Sequence, residues 1–465
     1  MTGPGQATVP ARVPLRRLRK SSRSGLAGRA RLVDISAWAA PTAVIVALAI
    51  GAVRPLARLL TETGWAVPGA PGRLFVVAAL LLLLGGLAQV LRSAGPVTAS
   101  SAFWFWLLSA PVRRRDLLRR RYLALLAVTA VLACTVAGLV AHAGSAPVLP
   151  AVAAAVLAAV ALAAGAVCGQ AWEITDHVGH AVGQAMRSAG VLAFGSLATG
   201  AGRVYLNSVL RAPPSAAVIL LAALAVTAAA CCVLGYRALD RIEVSVLRRG
   251  QGLWTAGSMA AVSMDVFMLT EFLADRRARQ AGRVRPARIG AGFATALVRS
   301  ELTRLRRRHY LAGRAAAAAV VWWGCRPVLH GPVLAAVAVV TGYCLVLPVA
   351  GTLRQLAANP GLRAQFAPRD RWLSFASLAA CLLASATWTA IVAPGLGGGV
   401  ALAILIAAGL TAAVYRTVTR PPLDYSGPLV PTPFGDLPLD LWRQIFRGPL
   451  LLAVLIAVTA AITAR

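Results

Sequence analysis

Apolar blocks of about twenty residues, separated by short basic segments, constrain this chain more than any other feature. A helix needs about 20 residues, at 1.5 Å each, to cross the hydrocarbon core of a bilayer. Hydrophobic residues make up 58% of the 465 positions and charged residues 13%, too few charges for the surface of a soluble protein of this length. The sequence therefore predicts an all-α integral membrane protein with about 11 transmembrane helices, within a range of about 10–12. The predicted spans are residues 35–53, 73–91, 122–142, 148–168, 189–202, 215–235, 312–329, 331–350, 373–394, 398–415 and 448–464.

Positive charge lies in the breaks between the apolar blocks. The chain has 47 Lys+Arg against 15 Asp+Glu. A cytoplasmic N-terminus places 40 of the 47 inside and 7 outside, which the positive-inside rule favours. We therefore expect a multi-pass protein of the cell membrane with an external C-terminus. Basic residues placed in this way indicate contact with anionic lipid and argue against nucleic acid as a partner.

The predicted loops divide the chain into two halves. "SAPVRRRDLL" at 109–118 has a counterpart in "FAPRDRWLSF" at 366–375, which aligns Pro111 with Pro368 and Arg114 with Arg371. Each segment follows one predicted span and precedes another, so we expect two weakly repeated halves. The predicted organisation is a basic cytoplasmic N-terminus (1–34), a first transmembrane half (35–250) with a cytoplasmic loop at 92–121, a basic cytoplasmic connector (251–311), and a second transmembrane half (312–465) with cytoplasmic loops at 351–372 and 416–447.

Two segments leave the topology open. Residues 189–202 are short for a span, whereas residues 253–274 are nearly long enough. A span at 253–274 would place Asp265 in the middle of the membrane at a cost of about 3 kcal/mol. The sequence therefore favours a cytoplasmic or interfacial helix at 253–274 and a span at 189–202.

Several kinds of chemistry are missing from the sequence. Lys20 is the only lysine, so no Gly-rich loop ends in the Gly-Lys pair that a P-loop ATPase needs. We find no catalytic motif and expect neither an enzyme nor a cofactor. His177 and His180, near Glu173 and Asp176, could form a weak metal site, but such a cluster is more often a solvated helix face. None of the fifteen acidic residues lies in the middle of a predicted span, which argues against an ion-driven carrier.

The segment "FWFWLLSAPVRRRDLLRRRYLALL" at 103–126 carries six arginines between Arg113 and Arg121. One interpretation is a topology anchor, in which the arginines hold the loop inside and contact anionic lipid. The other adds a protein contact, in which a short helix after Pro111 turns Leu117 and Leu118 toward a partner or the membrane. The two interpretations differ in whether total charge or the position of each charge matters.

This segment resembles the cytoplasmic loop between spans two and three of ABC-2-type transporter permeases, in which a coupling helix docks on the ATPase subunit. The residues that carry the resemblance are Leu108, Pro111, Arg113, Arg114, Asp116 and Leu117. The chain also resembles an uncharacterised family of high-GC bacterial multispan membrane proteins grouped with these permeases, in residues 297–308, 353–371 and 432–450. The resemblance implies ATPase-coupling roles for Pro111, Arg113, Arg114, Asp116 and Leu117, and for Pro368, Arg369, Asp370 and Arg371.

The resemblance also implies a function. The chain would be the membrane-spanning permease subunit of an ATP-driven exporter, powered by separate ABC ATPase subunits that dock on the cytoplasmic loops. Typical permeases have six spans and dimerise, so two fused halves would replace that dimer. The alternatives are a secondary carrier and a non-transporting membrane scaffold or immunity protein. The sequence does not indicate the substrate.

Overall fold

The computed structural model describes most of the chain from residue 70 onward. The described residues form helices almost throughout and divide into two compact units, Met1–Trp254 and Thr255–Arg465. The ranges are 70–98, 113–172, 175–199, 214–249, 293–359, 370–397, 399–419, 429–432, 435–438 and 447–463, with the single residues 252, 272, 276, 279, 361 and 364.

Six helices make up the described part of the first unit. Most are rich in Ala, Leu and Val; alanine and leucine favour helices, and the apolar sequence satisfies its backbone within each helix. The helices are α1 (Ala70–Ala94), α2 (Arg114–Ala143), α3 (Val148–Trp172), α4 (Thr175–Thr199), α5 (Pro214–Ala238) and α6 (Val244–Arg249). In this unit α1 packs along α4, and α3 packs between α2 and α5.

The second unit is built around a helix that starts at Gly331, is interrupted by a 3₁₀ turn at Leu347–Ala350 and continues to Ala358. Its elements are α7 (Phe293–Arg307), α8 (Tyr310–Cys325), α9 (Gly331–Val346), a 3₁₀ turn (Leu347–Ala350), α10 (Gly351–Ala358), α11 (Asp370–Val392), a second 3₁₀ turn (Ala393–Leu396), α12 (Val400–Val418), β1 (Leu429–Thr432), β2 (Gly435–Pro438) and α13 (Pro449–Thr463). Pro348 lies in the first 3₁₀ turn, where a proline removes one backbone donor and favours a break. Helix α9 contacts α11, α12 and α13.

Seven helices in the described part of the chain are long and apolar enough to cross a membrane, so the protein has the features of a multi-pass membrane protein. They coincide with the predicted spans at 73–91, 122–142, 148–168, 215–235, 331–350, 373–394 and 398–415. The number of about 11 is not confirmed. The predicted span 35–53 lies outside the described residues, α8 has 16 residues, and α13 is a shorter apolar helix. The segment 189–202 falls largely within α4, which is not among the seven, and 253–274 lies outside the described ranges except for residue 272.

The described loops contain more regular structure than expected. Helix α2 begins at Arg114, inside the predicted loop 92–121, so its arginines form the first turns of a span rather than a separate loop. Residues 351–358 continue from the broken helix as α10. In the predicted loop 416–447, β1 and β2 pair antiparallel, with Leu429 opposite Pro438. This short hairpin is a departure from the all-α expectation.

Candidate functional site

In the first unit, the start of α2 is fixed to the segment that follows α5. The guanidinium of Arg114 donates through Nη1 to the carbonyl oxygen of Ile242 at 2.6 Å. The backbone N–H of Arg115 donates to Oδ1 of Asp240 at 3.0 Å, and its Nε lies 3.5 Å from Oδ2 of the same carboxylate. These contacts join residues far apart in sequence, so the end of α5 and the start of α2 occupy the same side of the unit.

The segment after α1 and the end of α3 also lie beside the start of α2. Gln170 accepts a hydrogen bond from the Val97 N–H at 3.1 Å and donates to the Val97 carbonyl at 2.8 Å. Arg121 donates to the carbonyl of Thr98, and the Tyr122 hydroxyl donates to the carbonyl of Cys232 at 2.9 Å. The term arginine platform is used below for residues 97–98, 113–122 and 238–249. Its buried apolar base is Val97, Leu118, Tyr122, Ala164, Val167, Leu239, Ile242 and Leu247.

The helical period sorts the platform arginines into two groups. Three make the contacts just described and are half-buried: Arg114, Arg115 and Arg121. The other three, Arg113, Arg119 and Arg120, are exposed. Asp116 is three or four residues from each of the exposed arginines, so it shares their side of the helix. This outward face of α2, defined by Arg113, Asp116, Arg119 and Arg120, is the part of the platform that a partner could contact.

The predicted coupling residues of the first half therefore have different environments. Arg114 is directed into the protein toward Ile242, and Leu117 packs against the buried base. Arg113 and Asp116 lie on the outward face, with the Asp116 N–H donating to the Arg113 carbonyl at 3.1 Å. Asp116 lies in the first turn, where a carboxylate interacts favourably with the helix dipole. Pro111 lies outside the described residues.

In the second unit, an ion pair on α7 contacts the break after α9. Nη2 of Arg304 lies 2.7 Å from Oε2 of Glu301, and Glu301 is only 7% exposed. Arg304 also donates to the carbonyl of Val349, and Arg308 donates to the carbonyl of Pro348 at 2.8 Å. These three side chains and two carbonyls are called the clasp below.

The 3₁₀ turn explains why the clasp forms there. A turn that departs from the α-helical pattern leaves carbonyl groups without their usual partners, and guanidinium groups are strong donors to them. Burial lowers the pKa of Arg304, while the nearby Glu301 raises it; because an arginine pKa ordinarily exceeds about 12, the group stays charged at neutral pH. A Cβ at Gly351 would lie 3.0 Å from Nη1 of Arg304, so the glycine leaves room for the guanidinium.

Two of the four predicted residues of the second half are described. Asp370 and Arg371 occupy the first turn of α11, and Pro368 and Arg369 lie outside the described residues. The clasp was not predicted from the sequence. The spacing of Glu301, Arg304 and Arg308 in "ELTRLRRR" could have indicated it, because this spacing places all three on one side of a helix.

The suggested histidine site is only partly described. His180 is exposed on α4, with Nε2 3.4 Å from Nε2 of Gln184. Glu173 lies outside the described residues. Among the residues that the structure describes, no group of three or more His, Cys, Asp or Glu side chains could hold a metal ion.

Comparison with known proteins gives one family. No curated protein and no solved structure matches the chain. The DUF6297 family, described as a family of unknown function, matches residues 70–428. This match runs from the start of α1 to the residue before β1 and includes both the arginine platform and the clasp, which covers well over half of the sequence. The chain therefore belongs to the DUF6297 family of unknown function.

Proposed function

We propose that this protein is the permease subunit of an ATP-driven exporter and that a separate P-loop ATPase docks on the arginine platform. The observation that carries the proposal is the construction of α2. This long apolar helix begins with an outward face of three arginines and one aspartate, and its inward arginines are bonded to segments that end two other helices. Displacement of the platform by a partner would therefore act on several membrane helices together.

The charge distribution favours this function over an ion-driven carrier. Within the seven apolar spans of the described chain, the acidic residue is Asp116, in the first turns of α2, while Asp370 opens α11 before its span begins at Phe375. A carrier driven by protons or sodium ions needs a titrating or ion-binding group along the pathway. The chain also has no P-loop lysine, so ATP-driven transport requires a partner that supplies one.

A second docking segment follows from the proposed repeat. Helices α2 and α11 begin at Arg114 and Asp370, each within three residues of an Ala-Pro pair. We propose that they are equivalent elements of two related halves, that Pro368, Arg369, Asp370 and Arg371 belong to the second docking segment, and that about 11 spans make up the whole.

The experiment is a pull-down of this protein from its native membranes, followed by identification of the P-loop ATPase that co-purifies with it. Asp116→Arg adds positive charge and so preserves the predicted orientation, but it reverses a charge on the outward face. At a protein contact that excludes water, such a reversal costs several kcal/mol, whereas at a solvated anchor it costs little. We expect Asp116→Arg to lose the ATPase in the pull-down and Arg120→Lys, which keeps its charge, to have a smaller effect.

The matched control is Arg237→Gln, which changes an exposed arginine at the end of α5 outside the outward face. Membrane insertion of each variant is checked first. If Asp116→Arg inserts, binds the ATPase and exports like the parent, the coupling proposal is wrong and the arginines are a topology anchor. A protein that binds no ATPase in any form would instead favour a scaffold.

A further inference from the structure

A half-buried arginine, Arg187, lies at the contact between α1 and α4. These helices approach closely because glycines face each other: a Cβ at Gly85 would lie 3.0 Å from both the Gly183 carbonyl oxygen and the Arg187 amide nitrogen. Further along, a Cβ at Gly190 would lie 3.0 Å from the carbonyl oxygen of Ala78. Small residues at such positions allow the close approach that is typical of helix pairs in membranes.

The contacts also fix the direction and depth of α4. Phe194 packs edge-to-face on Phe75, with ring centroids 5.8 Å apart. The paired positions therefore run from 75 with 194 to 85 with 183, which is an antiparallel arrangement. Since α1 is one of the seven long apolar helices, the part of α4 beside it lies at membrane depth, although its sequence is too polar for α4 to be among the seven.

Arg187 lies near one face of the membrane. The span of α1 ends at Ser93, so its backbone, level with Gly85, is about 12 Å from that end at 1.5 Å per residue. The guanidinium extends back toward the end of the span, where Nη1 donates to Oε1 of Gln89, about 6 Å from Ser93. Its Nε donates to the Gly183 carbonyl at 3.1 Å. The end of an apolar span is where lipid headgroups are expected to meet acyl chains, and long basic side chains direct their charge there.

The guanidinium of Arg187 has N–H donors that no described residue accepts from. Two of its five N–H groups have acceptors among the described residues, and no described carboxylate pairs with it. His180 and Gln184 lie seven and three residues before it, on the same side of α4, so the described stripe that leads to Arg187 is polar. A charged group at this depth is expected to have a partner.

We propose that Arg187 binds an anionic phosphate group at the membrane boundary, with Gln89 and the Gly183 carbonyl orienting its guanidinium. The planar fork of arginine matches two phosphate oxygens. At this depth the ligand is the headgroup of an anionic phospholipid, and the same chemistry would accept a soluble phosphate that reaches the site from water. The proposal is independent of ATPase binding, since Arg187 lies outside the arginine platform.

The test is thermal unfolding of the purified protein in a neutral detergent, with phosphatidylglycerol, phosphatidylcholine or inorganic phosphate added. We expect phosphatidylglycerol to raise Tm and phosphatidylcholine to have little effect. Arg187→Gln is expected to need about tenfold more phosphatidylglycerol for the same shift, as for loss of a charge-assisted contact. Arg237→Gln, which removes an exposed arginine of the same unit, is the control and should respond like the parent.

The readout is the lipid-dependent change in Tm, which a purely structural role of Arg187 would not alter. If inorganic phosphate produces the same Arg187-dependent shift, the ligand is a soluble phosphate and the site is retained. Equal responses of the parent and Arg187→Gln, or no response of the parent to either phosphate source, would overturn the proposal. Should Arg187→Gln not fold, Arg187→Lys keeps the charge but loses the fork, and an unchanged response of that variant counts against the proposal.

Discussion

Neutralising Glu301 should weaken the second unit by an amount that the clasp allows to be worked out. Glu301→Gln keeps the volume of the side chain and removes its charge. Removal of one partner from a buried ion pair costs about 3–5 kcal/mol when the other charge is left without compensation. Arg304 would keep its bond to the Val349 carbonyl and its side chain is 21% exposed, so some compensation remains. We therefore expect a loss of about 2–3 kcal/mol in the free energy of unfolding.

The assay is equilibrium unfolding of the purified protein in detergent, followed by the fluorescence of its tryptophans. Arg306→Gln is the matched control, because Arg306 is exposed on the same helix and an exposed charge contributes little. A double-mutant cycle with Arg304→Met isolates the pair, and its coupling energy should be about 2 kcal/mol. A coupling energy near zero, or a Glu301→Gln variant as stable as Arg306→Gln, would refute the structural role assigned to the clasp.

Three further predictions concern other parts of the chain. A reporter fused after Arg465 should give an external signal and one after Arg249 a cytoplasmic signal; the opposite result at Arg465 would exclude the eleven-span topology. Gly85→Leu should destabilise the first unit by about 1–3 kcal/mol through overpacking, measured by unfolding in detergent, whereas Gly86→Leu, where a Cβ meets nothing within 4 Å, should be tolerated, and equal effects would contradict the α1–α4 contact. The purified protein should hydrolyse no ATP by itself, and steady hydrolysis after removal of every other subunit would contradict the exporter proposal.

Hydropathy was sufficient for the long apolar helices because length and composition decide whether a helix can cross a bilayer. For α4 it indicated only residues 189–202, because Arg187 and the glycines of the α1 contact lower the hydropathy of the rest of this helix, which packs along α1. The polar residues of α4 are covered by α1, and a hydropathy window contains no information about which helix packs against a segment. A similar difficulty applies to residues 429–438, where two short strands satisfy each other's backbone groups.

The candidate site was located by sequence but not resolved into its parts. The arginine run near Arg114 was recognised from the sequence, since charge between apolar blocks is easily seen. Which arginines bind within the protein depends on the carboxylate of Asp240 and the carbonyl of Ile242, more than 120 residues away in the chain. A basic connector likewise gives no sign that Arg304 is partly buried, because its burial depends on the break that begins at residue 347.

The clasp has a consequence for genetics. Its acceptors are the backbone carbonyls of Pro348 and Val349, which every amino acid possesses, so a substitution at Val349 leaves the acceptors in place, whereas one at Pro348 also removes the residue that favours the break. Its donors are side chains that a single codon change can remove. A random screen for variants in which the break is released should therefore recover changes at Glu301, Arg304 and Arg308, and at Gly351, where any larger side chain would displace the guanidinium. Most substitutions that release the break after α9 would therefore lie in α7 and at Arg308, which precede the break in the chain.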